Sequence, residues 1–396
     1  MDDFWQGLVE GKNGAGEITR FDSTNFKTHF ACEVKNYDPS AWFDPKDARK
    51  LDLFAQFSLI ASQQAIDDSG INRENTDYDD VGVVWSSGIG GINSLTEELR
   101  EYFSDTNDPR FSPFFIPRMI ANLPAGIIAI RNGFRGLNFS TISACASSSH
   151  AISEGFMHLR CGHGSVIVVG GAEAAIGISG IGGFNSMKAL STRNDDPATA
   201  SRPFDRDRDG FVMGEGSGGL VLEEYEHAVN RGAKIYAELV GVGLSADAHH
   251  ITSPHPEGKG AVLSLRRALD DANITPEMIG HINTHGTSTP LGDIAEVLAI
   301  KEVFGKHAYD ISINSTKSMT GHLLGGAGVV EAIATILALK NGIIPPTINH
   351  FNDDPQIDNG LDFTFNEKRH RDIQYALTNA FGFGGHNTSI IFKKHQ

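Results

Sequence analysis

Along this chain, short unbroken apolar runs alternate with stretches whose apolar residues recur at helical spacing. Gly82-Val83-Val84-Trp85, Ser165-Val166-Ile167-Val168-Val169 and Gly219-Leu220-Val221-Leu222 read as strands covered on both faces, because a half-exposed strand would alternate apolar with polar. Between the first two lies Ser140-Thr141-Ile142-Ser143-Ala144-Cys145-Ala146-Ser147-Ser148-Ser149. After it, Ile152, Phe156 and Leu159 share one helical face that closes at Gly162. Cys145 therefore sits where a strand gives way to a helix. The alternation predicts an α/β protein, a mostly parallel sheet with helices on both faces.

A second unit begins near Lys234-Ile235-Tyr236-Ala237-Glu238-Leu239-Val240, read as a strand that follows a charged helical stretch from Glu223 to Arg231. The boundary has no linker composition. Farther on, the strand Ile311-Ser312-Ile313-Asn314, a turn from Ser315 to Gly328, and a helix with Val329, Ile333 and Ile336 on one face and Asn341-Gly342 as its stop repeat the plan around Cys145. No residue-level repeat is visible. The matching order of elements predicts two similar halves, 1–233 and 234–396.

Composition narrows the class. The 396 residues suffice for two or three domains or one large body, and 40% apolar with 21% charged residues is globular. A net charge of −16 repels nucleic acid and anionic lipid, so an acidic partner would need a local basic patch. Three cysteines, Cys32, Cys145 and Cys161, argue against a disulfide framework and for a reducing compartment. No 18-residue apolar run is evident and the start, Met1-Asp2-Asp3-Phe4-Trp5, lacks signal-peptide regions, so a cytoplasmic protein without a membrane span is expected.

Four segments could carry chemistry. Cys145 at a helix start would meet free amide N–H groups and partial positive charge, which favour a thiolate and can hold an oxyanion; the alternative is a small buried hydrophobe. His285 ends a strand-like segment in Asn283-Thr284-His285-Gly286-Thr287-Ser288-Thr289-Pro290, where α/β folds place ligands. Lys317 and His322 share the glycine-rich turn Ser315 to Gly328, suited to anion binding or to a catalytic pair. The fourth segment, Asn379-Ala380-Phe381-Gly382-Phe383-Gly384-Gly385-His386-Asn387, lets backbone N–H groups approach a ligand, or is an ordinary tight turn. Gly214-Glu215-Gly216-Ser217-Gly218-Gly219 matches GxGxxG but precedes a strand, so it is no dinucleotide loop. There is no CxxC or HExxH, and His249-His250 reads as a surface pair, so no metal is expected.

Taken together, Ser143-Ala144-Cys145-Ala146-Ser147-Ser148, the His285 loop, Lys317 with His322, and Phe381 to Asn387 resemble the beta-ketoacyl-ACP synthases, most nearly the elongating type II enzymes. Ser87-Gly88-Ile89-Gly90-Gly91, Ala189 to Asn194 and Asp205 to Phe211 support the likeness, which spans the chain. The resemblance implies a thiolase-like fold, two similar halves with mixed sheets packed around buried helices in layers, usually a homodimer. It implies elongation of acyl-ACP by decarboxylative Claisen condensation with malonyl-ACP in fatty acid biosynthesis. Cys145 would take the acyl group, and the N–H groups of Cys145 and Phe383 would hold the oxyanion. His285 and His322 would stabilise the malonyl enolate, and Lys317 would orient the site with support from Glu331. Thr287 and Thr289 match positions that bind the phosphopantetheine arm. Ile89, Phe115 and Phe184 would line an acyl tunnel gated by Phe383, or be core packing. No cofactor is bound by the chain itself; the phosphopantetheine is carried by ACP, an acidic partner for which Lys46, Arg49, Lys50, Arg110 and Lys188 form the candidate docking patch.

The likeness also leads one to expect a short apolar strand and glycine-rich turn ahead of Phe4-Trp5-Gln6-Gly7-Leu8, in the interior of the first half's sheet, where their lack would leave neighbouring strands unpaired. This sequence does not contain them and reads as shortened at its start. Histidine at both 285 and 322 separates it from initiating synthases, retention of Cys145 from a chain-length factor, and the lack of a later catalytic Cys from thiolases. A polyketide or aryl-polyene ketosynthase and a non-catalytic scaffold subunit remain as alternatives.

Overall fold

The computed structural model describes residues 1–104 and 110–395. Its first sheet contains β1 (Val81–Ser86), β2 (Asn138–Phe139), β3 (Val166–Glu173) and β4 (Gly216–Glu223), in the order β2-β1-β3-β4. β1 is parallel to β2 and β3, and β4 runs antiparallel to β3. The second sheet contains β5 (Glu238–Ala246), β6 (Ile279–Asn283), β7 (Ser312–Asn314), β8 (Tyr375–Gly382) and β9 (His386–Lys393), in the order β5-β9-β8-β6-β7. Here β6 is parallel to β7 and β8, and β9 is antiparallel to both β8 and β5. The β2-β1-β3-β4 order and directions recur as β7-β6-β8-β9, so the expected duplication is present in topology.

The strands sit a few residues from their sequence expectation at one place. The second half's first strand starts at Glu238, not Lys234. Lys234 is exposed, its ammonium 4.5 Å from the Tyr236 ring centroid and 3.5 Å from Asp68, because a strand passing into the core cannot carry that charge inward.

Helices fill three layers. Helix α1 (Leu53–Ser69) covers the outer face of the first sheet, α3 (Lys259–Ala272) with α4 (Pro290–Phe304) that of the second, and α2 (Ser147–Arg160) and α5 (Ala327–Asn341) lie between the sheets. Val84, Ile152, Ile167 and Val169 from the first half meet Val329, Ile336, Ile390 and Phe392 from the second in that central layer. Instead of showing one apolar face, α5 buries twelve of its fifteen residues. The run Leu324–Asn341 is the one stretch among the described residues long and apolar enough, at mean hydropathy 1.3 over 18 residues, to cross a membrane by length; 83% of it is buried. That corrects the expectation that no such run exists: a helix flanked by two sheets is apolar all round for the same reason a membrane span is. Small residues let α2 and α5 approach closely. Ser148 Oγ accepts from Val329 N at 3.0 Å, and a Cβ on Gly328 would fall 2.1 Å from Ser149 Oγ.

The two sheets differ at one edge. β9 is paired on both sides, whereas β4, its counterpart, has β3 on one side and no strand on the other among the described residues. The position equivalent to β5 is thus an outer edge, not the sheet interior expected from the resemblance. Along it runs a groove of about 1060 Å³ lined by Phe4, Leu8, Val34, Phe57, Ile60 and Leu323.

Candidate active site

Two tight turns, one from each half, meet at the centre. After β2 the chain enters a 3-10 turn, Ala144–Ala146, in which Ala144 takes φ 51°. A left-handed alanine is strained, and Ser147 offsets the strain by accepting from Ser143 N at 2.9 Å and donating to Ala144 O at 2.7 Å. The second half repeats this. Leu324, at φ 48°, opens the 3-10 turn Leu324–Gly326 just after His322. Such turns aim a side chain, or a backbone N–H, away from the strand that precedes them.

Cys145 lies inside the first turn, two residues ahead of α2, and is 8% exposed. Gly382, at the end of β8, comes so close that an added Cβ would stand 2.6 Å from Ser143 O and 3.1 Å from Cys145 N. This approach brings the N–H of Phe383 to the side of Cys145, where it and the N–H of Cys145 itself both favour negative charge on the sulfur. Burial pushes the thiol up to about 12, against the opposite pull of Lys317 and those two N–H groups. Desolvation thus opposes the thiolate that Lys317 and the two N–H groups favour.

His285 follows β6. Glu296 of α4 accepts from His285 N at 2.9 Å, Gly286 N at 2.8 Å and Asn379 Nδ2 at 3.0 Å, which fixes this loop against β8. His322 is held by its backbone: its N–H donates to Val212 O at 2.7 Å and its carbonyl accepts from Gly214 N at 2.9 Å. The two rings meet edge to face, centroids 5.3 Å apart at 87°. His322 also meets Phe211 at 5.2 Å, Phe211 meets Phe184 at 5.3 Å, and Phe184 meets Phe383 at 6.3 Å. Phe211 and Leu324 pack in one buried cluster with Cys145, Ile176, Ile181 and Leu190, so a continuous wall joins sulfur to imidazoles.

Lys317 is 1% exposed and ion-paired with Glu331 of α5. Its charge acts on Cys145, His285 and His322 together, favouring the thiolate and disfavouring both imidazolium forms. Burial first, then Lys317, hold both imidazoles well below their ordinary 6.5, so both are neutral rings with an N–H to donate. Glu331 is pushed up to about 7 by its burial, against the pull of Lys317.

Thr287 and Thr289 face each other, their hydroxyl oxygens 3.0 Å apart, with Thr289 at the N-cap position of α4 but making no side-chain capping bond. Phe184 packs against the Cys145 cluster, and Ile89 is 37% exposed beside Gly88, whose added Cβ would stand 3.2 Å from Ala144 O. Phe115 does not join them within this chain. It stacks on Phe111, which stacks on Tyr102, a separate aromatic group. Lys46, Arg49, Lys50, Arg110 and Lys188 are all exposed. Lys50 is paired with Asp47 at 2.7 Å, and Lys188 follows the helix Ile178–Ser186 that carries Phe184. No group of three or more His, Cys, Asp or Glu among the described residues could hold a metal ion.

The sequence reading missed Glu296 and Glu173 and gave Phe211 and Leu324 no role. A carboxylate in the apolar run Ile294 to Ile300 was a usable signal for Glu296, since an unpaired charge there would be costly.

Residues 1–228 match the family described as "Beta-ketoacyl synthase, N-terminal domain" and residues 236–351 "Beta-ketoacyl synthase, C-terminal domain". The chain belongs to the beta-ketoacyl synthase family. It is 50% identical over 396 residues to a 3-oxoacyl-[acyl-carrier-protein] synthase 2 of Synechocystis, covering 100% of this chain and 94% of that one. A protein of the same name from Vibrio harveyi is 48% identical, covering 98% and 94%. Among solved structures, a beta-ketoacyl synthase from Burkholderia phymatum superposes with TM-score 0.92 at 33% identity, covering 100% and 95%. A type II polyketide ketosynthase in complex with its acyl-carrier protein superposes with TM-score 0.91 at 30% identity, with the same coverage. These neighbours and the paired sheets establish the thiolase-like fold.

Proposed function

We propose that this chain is a 3-oxoacyl-ACP synthase that elongates acyl-ACP by decarboxylative condensation with malonyl-ACP in fatty acid synthesis. The observation that carries it is the meeting of the edge-to-face pair His285–His322 with the Cys145 cluster through Phe211. Cys145 Sγ adds to the thioester carbonyl of acyl-ACP. The oxyanion faces the N–H groups of Cys145 and Phe383, and the pantetheine thiol departs with the proton that Cys145 loses. Malonyl-ACP then enters, Thr287 and Thr289 meeting the amides of its arm. Its carbon–carboxylate bond breaks and carbon dioxide leaves. The electron pair goes into an enolate whose oxygen receives the N–H groups of His285 and His322, donors that cost no reorganisation at that moment. The enolate carbon attacks the acyl-Cys145 carbonyl, and the Cys145 thiolate is expelled and takes one proton from solvent water, the proton the overall reaction consumes. Lys317 and Glu331 hold the field in which these charges form. The chemistry needs no cofactor of the chain's own, since the phosphopantetheine arrives on the carrier protein.

ACP is the partner this reading requires, and the solved ketosynthase–carrier complex supports it. Exposed Lys46, Arg49, Lys50, Arg110 and Lys188 supply the docking charge on an otherwise acidic chain. A homodimer is supported by the side of β2 that has no partner strand among the described residues, with exposed Ile142 just beyond it and Ile130 on the neighbouring helix Leu123–Asn132. The three free cysteines support a cytoplasmic, reducing setting. The halves divide as 1–233, carrying the nucleophile, and 234–396, carrying the histidines. The higher identity to the fatty acid synthases than to the polyketide enzyme favours the fatty acid reading.

Incubation with acyl-ACP tests it. A mass gain equal to the acyl group, lost in Cys145→Ala, is expected, with 3-oxoacyl-ACP formed on adding malonyl-ACP. A folded protein that gains no mass is a scaffold instead.

A further inference from the structure

β3 ends on Glu173, which is wholly buried and has no part in the reaction above. Four donors converge on its carboxyl group. Ser87 Oγ at 2.8 Å and Ile89 N at 3.2 Å reach Oε1, while Gly88 N at 2.9 Å and Gly325 N at 3.0 Å reach Oε2. These donors belong to two segments on opposite sides of the site. Ser87–Ile89 leaves β1 and leads to Ile92, which packs on the Cys145 cluster. Gly325 follows Leu324 of that cluster and stands three residues after His322.

Where the segments meet, a Cβ on Gly325 would lie 2.1 Å from Gly88 N. Two backbone N–H groups in such contact both face one oxygen, and without that acceptor both would be buried and unsatisfied. The carboxyl group is unfavourable on other counts. Burial pushes it up to about 7, and its charge disfavours the Cys145 thiolate. What it joins accounts for its place.

We propose that Glu173 is a positioning residue whose carboxyl group locks the acyl-side loop Ser87–Ile89 to the Gly325 turn behind His322, setting the acyl wall and the enolate-stabilising imidazole as one unit. This rests on the synthase reading. Glu173→Gln keeps the volume but turns one acceptor into a donor, so at least one backbone N–H is opposed. In the full-length variant, kcat for condensation falls ten- to a hundredfold and the preference among acyl-ACP primers of different length narrows. The rate of Cys145 alkylation by iodoacetamide stays within about threefold. Ser87→Ala, which removes one donor, lowers kcat about threefold in the same sense. A Glu173→Gln protein with wild-type kcat and primer profile overturns the proposal, as does a loss of kcat matched by an equal loss of alkylation. Should Glu173→Gln not fold, a wild-type kcat in Ser87→Ala overturns it. Wild-type protein that takes no acyl group sinks the synthase reading itself; an active wild type with an unaltered variant sinks only the role of Glu173.

Discussion

The two halves share a strand order but divide the labour. The first supplies a nucleophile on a strained turn and the Glu173 carboxyl behind it; the second supplies His285, His322 and Lys317 and the carboxylates that hold them. Their sheets differ too, with five strands in the second and four in the first among the described residues. Duplicated scaffolds thus place a reactive turn at the same point twice, and the chemistry comes from filling the two turns differently. Cys145 occupies one and the glycines after His322 the other, so the second helix start approaches the first without a competing side chain.

Substitutions break that division in different ways. The largest effect is expected from Cys145→Ala, which should abolish condensation, a loss on the order of a thousandfold or more, with the fold unchanged. His285→Ala or His322→Ala should lower condensation by about 10²–10³ while Cys145 still accepts an acyl group, as intact mass would show. If either histidine variant also fails to acylate, the halves do not act separately.

Next comes stability. Lys317→Ala leaves Glu331 buried without its cation and should cost about 3–5 kcal/mol in urea unfolding, while Lys317→Met with Glu331→Leu should recover much of that loss. Recovery of stability without activity would show that the pair serves the site's field more than the core.

A smaller contrast lies in the sheet edges. β9 is paired on both sides and should exchange its amides only through global unfolding, whereas the outward amides of β4 should exchange at least about a hundredfold faster by local opening. Equal protection would mean that the groove beside β4 is filled in solution.

The smallest expected change is none at all. On lowering pH from 8 through 6.5, the imidazole signals of His285 and His322 should not move in proton NMR, because both folded values lie well below the unfolded 6.5. The sign for stability follows. The unfolded chain binds these protons first, so the contribution of the neutral buried rings is full above 6.5 and is lost as pH falls below it. A shift near 6.5 would mean that the pocket is open to water.

Much of this was legible from local pattern. Unbroken apolar runs marked β1, β3 and β4, glycine stops marked the ends of α2 and α5, and the four separated motifs named the residues that now face one another. Local pattern was silent where contact partners are distant in sequence. Phe115 carried the same aromatic signal as Phe184, yet packs on Phe111, and nothing near Glu173 announced that Gly325, 152 residues away, would donate to it. Residue type and spacing determined by themselves which groups could react and which segments would be strand or helix, because propensity and periodicity act over a few residues. Only the tertiary structure decided that burial raises the Cys145 thiol and lowers both imidazoles, and that the fifth position of the first sheet is an edge among the described residues. Burial, dielectric and strand pairing are set by neighbours brought from far along the chain.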